Sequence, residues 1–329
     1  MSPTNGLKRS VRVSIVIPLY NKELWIRRAL DSIAEQSFTD FELLVVDDGS
    51  SDGGAQIVAT YGDRRFRLIK QPNAGPGAAR NRGIAEAKGE LLAFLDADDE
   101  WLPNYLADSV RILDHWGDEV ASISSGYLEY PSATSREAMW RGRGITEGPF
   151  RLCPDTPPMA AVYRLAYISP WSTVVRASVL RKWGGFYSRD RCLFAEDSYL
   201  WLKIMLNETV AFHMDPIVRF HADASELSRN LKGARPLEPF LLDPSGINAV
   251  CPPHLRDLLS NILAIRAFKS ACVLGYWGRW REANAMKKRY SVPGGWKLPY
   301  YLPSLICSTP VGACLGQLNR AFKRIGVRA

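Results

Sequence analysis

The 329-residue chain reads as an α/β fold: a doubly wound, mostly parallel sheet with a looser second half and a C-terminal helical extension. Three observations carry that reading. Short apolar runs alternate with amphipathic helical stretches over residues 11–95, the rhythm of parallel strands joined by right-handed crossovers. Three of the first four strand-like runs end in polar clusters, and open sheets bind their ligands beyond the carboxyl ends of strands. The hydrophobic share of 47% is that of a globular chain with a substantial core.

Residues 1–10 are polar and are expected to be disordered. Residues 11–19, VRVSIVIPL, alternate and then become continuously apolar, as in a central strand covered on both faces. Trp25, Ile26, Ala29, Leu30 and Ile33 recur at helical spacing, which predicts a helix over 23–36. The alternation continues as strand 41–46, helix 55–61, strand 66–70, helix 77–88 and strand 91–95, then helix 103–116 and strand 120–128. Residues 130–166, rich in Pro, Gly and Arg without a sustained period, predict a mobile substrate loop. A strand at 171–175, a helix at 177–183 closed by Gly184-Gly185, a helix at 197–206 and strands within 209–220 follow. Residues 238–246 read as a linker, and 255–276 and 280–290 as helices.

The net charge of +8 is concentrated in the tail: residues 266–329 hold twelve Lys or Arg against the single acid Glu282. The rest of the chain is therefore slightly acidic, which argues against a nucleic-acid groove across the main domain. The tail interleaves its cations with Trp296, Tyr300, Leu302 and Ile306, a mixture suited either to an anionic membrane surface or to a helical pair with a solvated basic face. The uncharged stretch 298–318 contains Pro299, Pro303 and Pro310 and does not read as a membrane span. Six cysteines show no metal-ligand spacing, and no leader-like segment stands at the N-terminus. They read as reduced thiols of a cytoplasmic protein.

The run Leu91-Leu92-Ala93-Phe94-Leu95-Asp96-Ala97-Asp98-Asp99 delivers three carboxylates to a strand end. Such a cluster repels a phosphorylated ligand unless a hard divalent cation lies between, and Mg²⁺ typically uses one or two carboxylates plus substrate phosphates. The alternative is an acidic cap on the next helix. The first strand ends at Pro18-Leu19-Tyr20-Asn21, offering a stacking ring and an amide suited to a flat base. The second ends at Asp47-Asp48-Gly49-Ser50-Ser51-Asp52, where one carboxylate can accept from a base or ribose and Asp52 reads as a helix cap. Between the third and fourth strands, Asn73-Ala74-Gly75-Pro76-Gly77 allows close backbone approach at a helix N-terminus. Arg80 follows, able to reach a phosphate or a base.

Taken in order, SIVIPLYN, ELLVVDDGSSD, NAGPGAARNRG and LAFLDADD resemble the family 2 glycosyltransferases over residues 11–221. The resemblance implies a GT-A fold and divides the chain into a nucleotide-binding half (11–116), an acceptor half (117–237) and the extension 238–329. It implies that Tyr20 and Asp48 contact the base of a nucleoside diphosphate sugar, a UDP-sugar by family preference. Asp96 would meet the ribose, and Asp98 would hold Mg²⁺ or Mn²⁺. Phe194-Ala195-Glu196-Asp197 matches the family's acidic pair and implies Asp197 as general base, although a carboxylate there also suits a helix cap. His221 either completes the metal site or serves structure, and Trp171 and Ser172 either line an acceptor pocket or pack in the core. The implied reaction is metal-dependent, inverting transfer to a hydroxyl of a glycan or lipid-linked sugar in cell-surface polysaccharide or lipopolysaccharide assembly. A sugar-nucleotide nucleotidyltransferase would carry a Gly- and Lys/Arg-rich loop after the first strand, where this chain has PLYNKE. A binding module without catalysis would have no use for Asp197.

Overall fold

The structure, a computed structural model, describes residues 11–224 and 233–324, so the segment 1–10 lies outside the described residues. Within them, one ten-stranded sheet comprises β1 (Val13–Leu19), β2 (Phe41–Asp47), β3 (Phe66–Lys70), β4 (Leu91–Phe94), β5 (Glu100–Trp101), β6 (Ser122–Tyr130), β7 (Thr134–Ser135), β8 (Gly148–Phe150), β9 (Thr173–Arg176) and β10 (Val210–His221). Its main path runs β3-β2-β1-β4-β9-β6-β10-β5. The first four strands on this path are parallel throughout. Beyond β4 the sheet becomes mixed, because β9 runs antiparallel to both β4 and β6.

Strand β1 shows why this order forms. Val16 packs into the core on one face, while Val13, Ile15, Ile17 and Leu19 pack into the core on the other. Helix Glu23–Ala34 covers the second face with Ile26, Ala29, Leu30 and Ile33, and helix Pro76–Glu86 contributes Ala79 to the first. With both faces dry, the strand is apolar at nearly every position, as central parallel strands are. Since β1 is flanked by β2 and β4, whose crossovers lead in opposite directions, the carboxyl ends of these strands open the crevice where such sheets bind ligands.

Residues 130–166, expected as a mobile loop, are built into the body. They contain helices Glu137–Gly142 and Pro158–Tyr167 and strand β8, which pairs with β10. Trp140, Ile145, Leu152, Leu165 and Tyr167 are buried, and the Tyr167 hydroxyl donates to the His213 carbonyl at 2.8 Å. The elements are short and their apolar residues face different neighbours, so no single period marks them in the sequence. The expected linker is likewise structured: helices Pro239–Leu242 and Ser245–Asn248 bury Phe240, Leu241 and Ile247. Helix Arg256–Tyr276 joins the core on the Val16 face of the sheet through Leu258, Leu259, Ile262 and Ile265. The segment Pro253–Tyr276 is long and apolar enough to cross a membrane, yet most of it is buried against protein. All six cysteines are free.

If residues 130–166 are packed as described, Trp140→Ala removes a buried indole and lowers the unfolding free energy by about 3–5 kcal/mol. Chemical denaturation checks this, and a loss below about 1 kcal/mol would return the segment to the status of a mobile loop.

Candidate active site

A cleft of about 580 Å³ opens at the carboxyl ends of β1, β2 and β4, lined by Pro18, Tyr20, Asp48, Gly75, Arg80, Asp96 and Asp98 among others. That volume lies within the range of small-molecule and cofactor sites. The opposite wall comes from the second half of the chain: Arg191, Leu193, Phe194, Ala195 and Glu196.

The walls are held by identifiable bonds. Asp48 is buried, and its carboxylate accepts from Gln71 Nε2 at 2.7 Å, Ala74 N–H at 2.9 Å and Gly75 N–H at 2.8 Å. It thus shapes the glycine loop from beneath while lining the cleft. Gly75 adopts φ +92°, the left-handed region that favours glycine, and Pro76 opens the helix at its first turn. A Cβ at Gly77 would stand 2.2 Å from the Tyr187 carbonyl oxygen, so only glycine lets the two halves approach there. Asn81 then clamps Phe186, donating to its carbonyl and accepting from its N–H, both at 2.8 Å.

Arg80 joins the halves. It is buried, with Nη2 on Asp96 Oδ1 at 2.7 Å and Nη1 on Glu196 Oε1 at 2.8 Å, and its guanidinium lies over the Phe186 ring. Burial works against its charge, but these two carboxylates outweigh it and raise its pKa. Expected at a phosphate or base, Arg80 instead has both terminal nitrogens engaged by acids of the cleft.

The acidic run ends where expected, with partners the sequence did not show. The next helix begins at Tyr105 with Asn104 before it, so neither Asp98 nor Asp99 caps it. Lys22 Nζ reaches Asp98 Oδ2 at 2.8 Å and the Ala224 carbonyl at 3.0 Å. Burial, then the charge of Asp96, pushes the Asp98 carboxyl above its ordinary value against the pull of Lys22. Burial and Asp98 hold Asp99 well above its own.

Two candidates are placed otherwise than expected. Asn21 does not line the cleft: its Oδ1 accepts from Ser51 N–H at 2.8 Å and its N–H donates to Ser50 Oγ at 3.1 Å. It ties two strand-end loops together, whereas Tyr20, 49% exposed, keeps its ring free at the cleft wall. His221 turns to Glu100, with Nε2 2.6 Å from Oε1, and its N–H donates to Asp99 Oδ1 at 2.8 Å. Burial lowers its pKa. It therefore orders the acidic loop through Glu100 and Asp99 and is not among the residues that line the cleft. Trp171 stacks on Phe220 at 5.3 Å and Ser172 is buried, so both serve packing.

The expected base stands beside the cleft. Helix Glu196–Asn207 starts after Ala195 with no side-chain N-cap bond, and Asp197 stands in its first turn, where the helix N-terminus also favours a carboxylate. Burial and Glu196 push its carboxyl up to about 7, opposed by Arg80. Glu196, for which the sequence implies no role of its own, forms the cleft wall. Lys22, Asn73 and Arg191, whose Nη2 bonds Asn73 Oδ1 at 2.7 Å, were also missed; single polar residues in loops carry no periodic signal. Among the described residues no three His, Cys, Asp or Glu form a closed metal cage. The cleft residues that could hold a divalent cation are Asp96 and Asp98, the latter bonded to Lys22, since Mg²⁺ needs only one or two protein carboxylates beside substrate phosphates.

Residues 14–168 match glycosyl transferase family 2. Curated relatives include the uncharacterized glycosyltransferase YibD of Escherichia coli (strain K12), 42% identical over 94 residues, 28% of this chain and 27% of that one. The poly(ribitol-phosphate) beta-N-acetylglucosaminyltransferase TarS of Staphylococcus aureus is 30% identical over 204 residues, 60% of this chain and 33% of that one. The chain thus spans about a third of the length of most curated relatives it matches. The structure of TarS 1–349 in complex with UDP-GlcNAc has a TM-score of 0.57 at 19% identity, covering 85% of this chain and 89% of that one. The mannosyltransferase PcManGT from Pyrobaculum calidifontis, in complex with GDP-Man and Mn²⁺, has a TM-score of 0.53 at 19% identity, covering 93% of this chain and 87% of that one. These likenesses show the fold, a GT-A arrangement with a C-terminal helical region.

Removing the guanidinium with Arg80→Met leaves Asp96 and Glu196 without their counter-charge and lowers stability by about 3–5 kcal/mol; a change under about 1 kcal/mol would mean that the bridge does not hold the halves. Folding raises Asp197 from 3.8 to about 7, so between those pH values the folded chain keeps a proton that the unfolded chain has lost, and stability falls as pH rises. Asp197→Asn therefore gains about 4 kcal/mol over wild type at pH 8 and loses that advantage below about pH 4. Equal melting shifts at both pH values would contradict the perturbed carboxyl.

Proposed function

We propose that this chain, whose residues 14–168 match glycosyl transferase family 2, is a metal-dependent inverting glycosyltransferase. Its donor is a nucleoside diphosphate sugar, by preference a UDP-sugar, and its acceptor a hydroxyl of a glycan or lipid-linked sugar. The observation that carries this reading is one cleft in which Tyr20, Asp48, Asp96 and Asp98 face the segment bearing Glu196 and Asp197. The UDP-GlcNAc and GDP-Man complexes of proteins with this fold support the donor class, and Mn²⁺ in the second supports the metal. We place the reaction in cell-surface polysaccharide or lipopolysaccharide assembly, on the cytoplasmic side of the membrane.

The residues divide the work. Tyr20 offers its ring to the base, while Asp48 keeps the 73–75 loop in place for the ribose and diphosphate. Asp98 would hold Mg²⁺ or Mn²⁺, which when bound offsets charge developing on the departing diphosphate. Asp197 takes the proton of the acceptor hydroxyl as that oxygen bonds to the anomeric carbon and the bond from that carbon to the diphosphate oxygen breaks. One base and direct displacement give inversion. A base poised near neutrality suits such a proton transfer, and burial beside Glu196 puts Asp197 there. Arg80 fixes Asp96 and Glu196 and limits how far the base shifts.

Asp197→Asn abolishes transfer and retains UDP binding; transfer at the wild-type rate would remove Asp197 from its role. In the wild type, kcat/KM rises with pH up to about 7 and then levels, because the charged carboxylate is the active form. Asp98→Ala removes Mn²⁺-dependent UDP binding in calorimetry, and an unchanged affinity would contradict the metal assignment.

A further inference from the structure

The C-terminal helices are packed inside out. In helix Tyr301–Cys307, Ser304 is fully buried while Leu302 and Ile306 are 65% and 56% exposed. In helix Pro310–Arg324 the glycines face inward: a Cβ at Gly312 would lie 2.2 Å from the Ile306 carbonyl oxygen, and one at Gly316 2.4 Å from that of Tyr276. Val311, Leu315 and Leu318, at i, i+4 and i+7, are 66%, 55% and 54% exposed. An amphipathic helix on a domain surrounded by water turns its large apolar residues toward the core. These two do the reverse. Among the described residues, eight of the thirteen large apolar side chains that stand exposed fall within 296–318, so the feature is local and not a general property of the surface.

The stretch of chain that bears this face is cationic in sequence. Residues 266–329 carry twelve Lys or Arg and one acid, Glu282, which is already paired with Arg279. Lys288, Arg289 and Lys297 are exposed, and Lys297 lies beside the exposed Trp296 ring at 5.3 Å. We propose that this face docks on an anionic lipid leaflet, its leucines and valine entering the acyl boundary while Lys and Arg meet the headgroups. Charge decides between occupants: a second copy would bring two cationic segments together, whereas an anionic leaflet satisfies the apolar face and the exposed Lys288, Arg289 and Lys297 together. The face uses none of the cleft residues, so its test stands apart from that of the transfer reaction.

Flotation of the full chain with vesicles of equimolar phosphatidylcholine and phosphatidylglycerol, and with phosphatidylcholine alone, tests the proposal. Wild type floats with the anionic vesicles and less so as salt is raised. Leu315→Ser/Leu318→Ser, and separately Lys288→Gln/Arg289→Gln/Lys297→Gln, reduce partitioning by about tenfold or more, with circular dichroism and Mn²⁺-dependent UDP affinity as in wild type. Equal recovery on both vesicle types, or a leucine variant that floats like wild type, overturns it. A vesicle-free dimer that the leucine variant abolishes also overturns it, by making the face a contact between copies. Loss of UDP binding with flotation intact would count against the transferase reading alone.

Discussion

A guanidinium buried between two carboxylates is the constraint from which the rest of the cleft follows. Arg80 cannot be dry and charged without partners, and Asp96 and Glu196 cannot both turn inward without a cation. Their mutual requirement joins the end of β4 to the first turn of helix Glu196–Asn207. Around that bond, Gly77 allows the backbones to meet and Asn81 fixes Phe186. The nucleotide-side wall and the wall bearing the proposed base thereby acquire a fixed spacing, although they lie more than a hundred residues apart in the chain.

The same concentration of charge has a cost in stability. Asp98, Asp99 and Asp197 all have raised pKa values, burial being the largest cause of each. A core optimised for stability alone would replace them with neutral groups. Asp98 lines the crevice, Asp99 follows it in the chain and Asp197 follows the lining residue Glu196, while Lys22 and Arg80 hold Asp98, Asp96 and Glu196 in ion pairs. A carboxyl held near neutrality is also better matched to accepting a hydroxyl proton than one ionised far below the working pH.

The fold's first half and the location of the cleft were legible in the sequence because periodicity reports burial directly. Strand β1 is apolar at successive positions since both its faces are covered, and the polar groups just beyond strand ends mark where the sheet meets solvent. Partnerships were not legible. Asn21, Arg80 and His221 each present chemistry suited to a ligand, yet Ser51, Glu196 and Glu100 claim them, and those neighbours are set by tertiary folding. Residues 130–166 were misread for a related reason: their apolar side chains are shared among several short elements. The C-terminal helices mislead in the opposite sense, since glycine and serine mark the buried side and leucine the outer one.

Anomalous diffraction from crystals of the chain grown with UDP and Mn²⁺ tests the central claim most directly, because it locates cation and diphosphate independently of turnover. The account predicts a single strong manganese peak bonded to the Asp98 carboxylate and the diphosphate, with the uracil against Tyr20 in the cleft walled by Gly75. Manganese bound at Glu100 and His221, or UDP seated outside the crevice between β1 and β4, would contradict it.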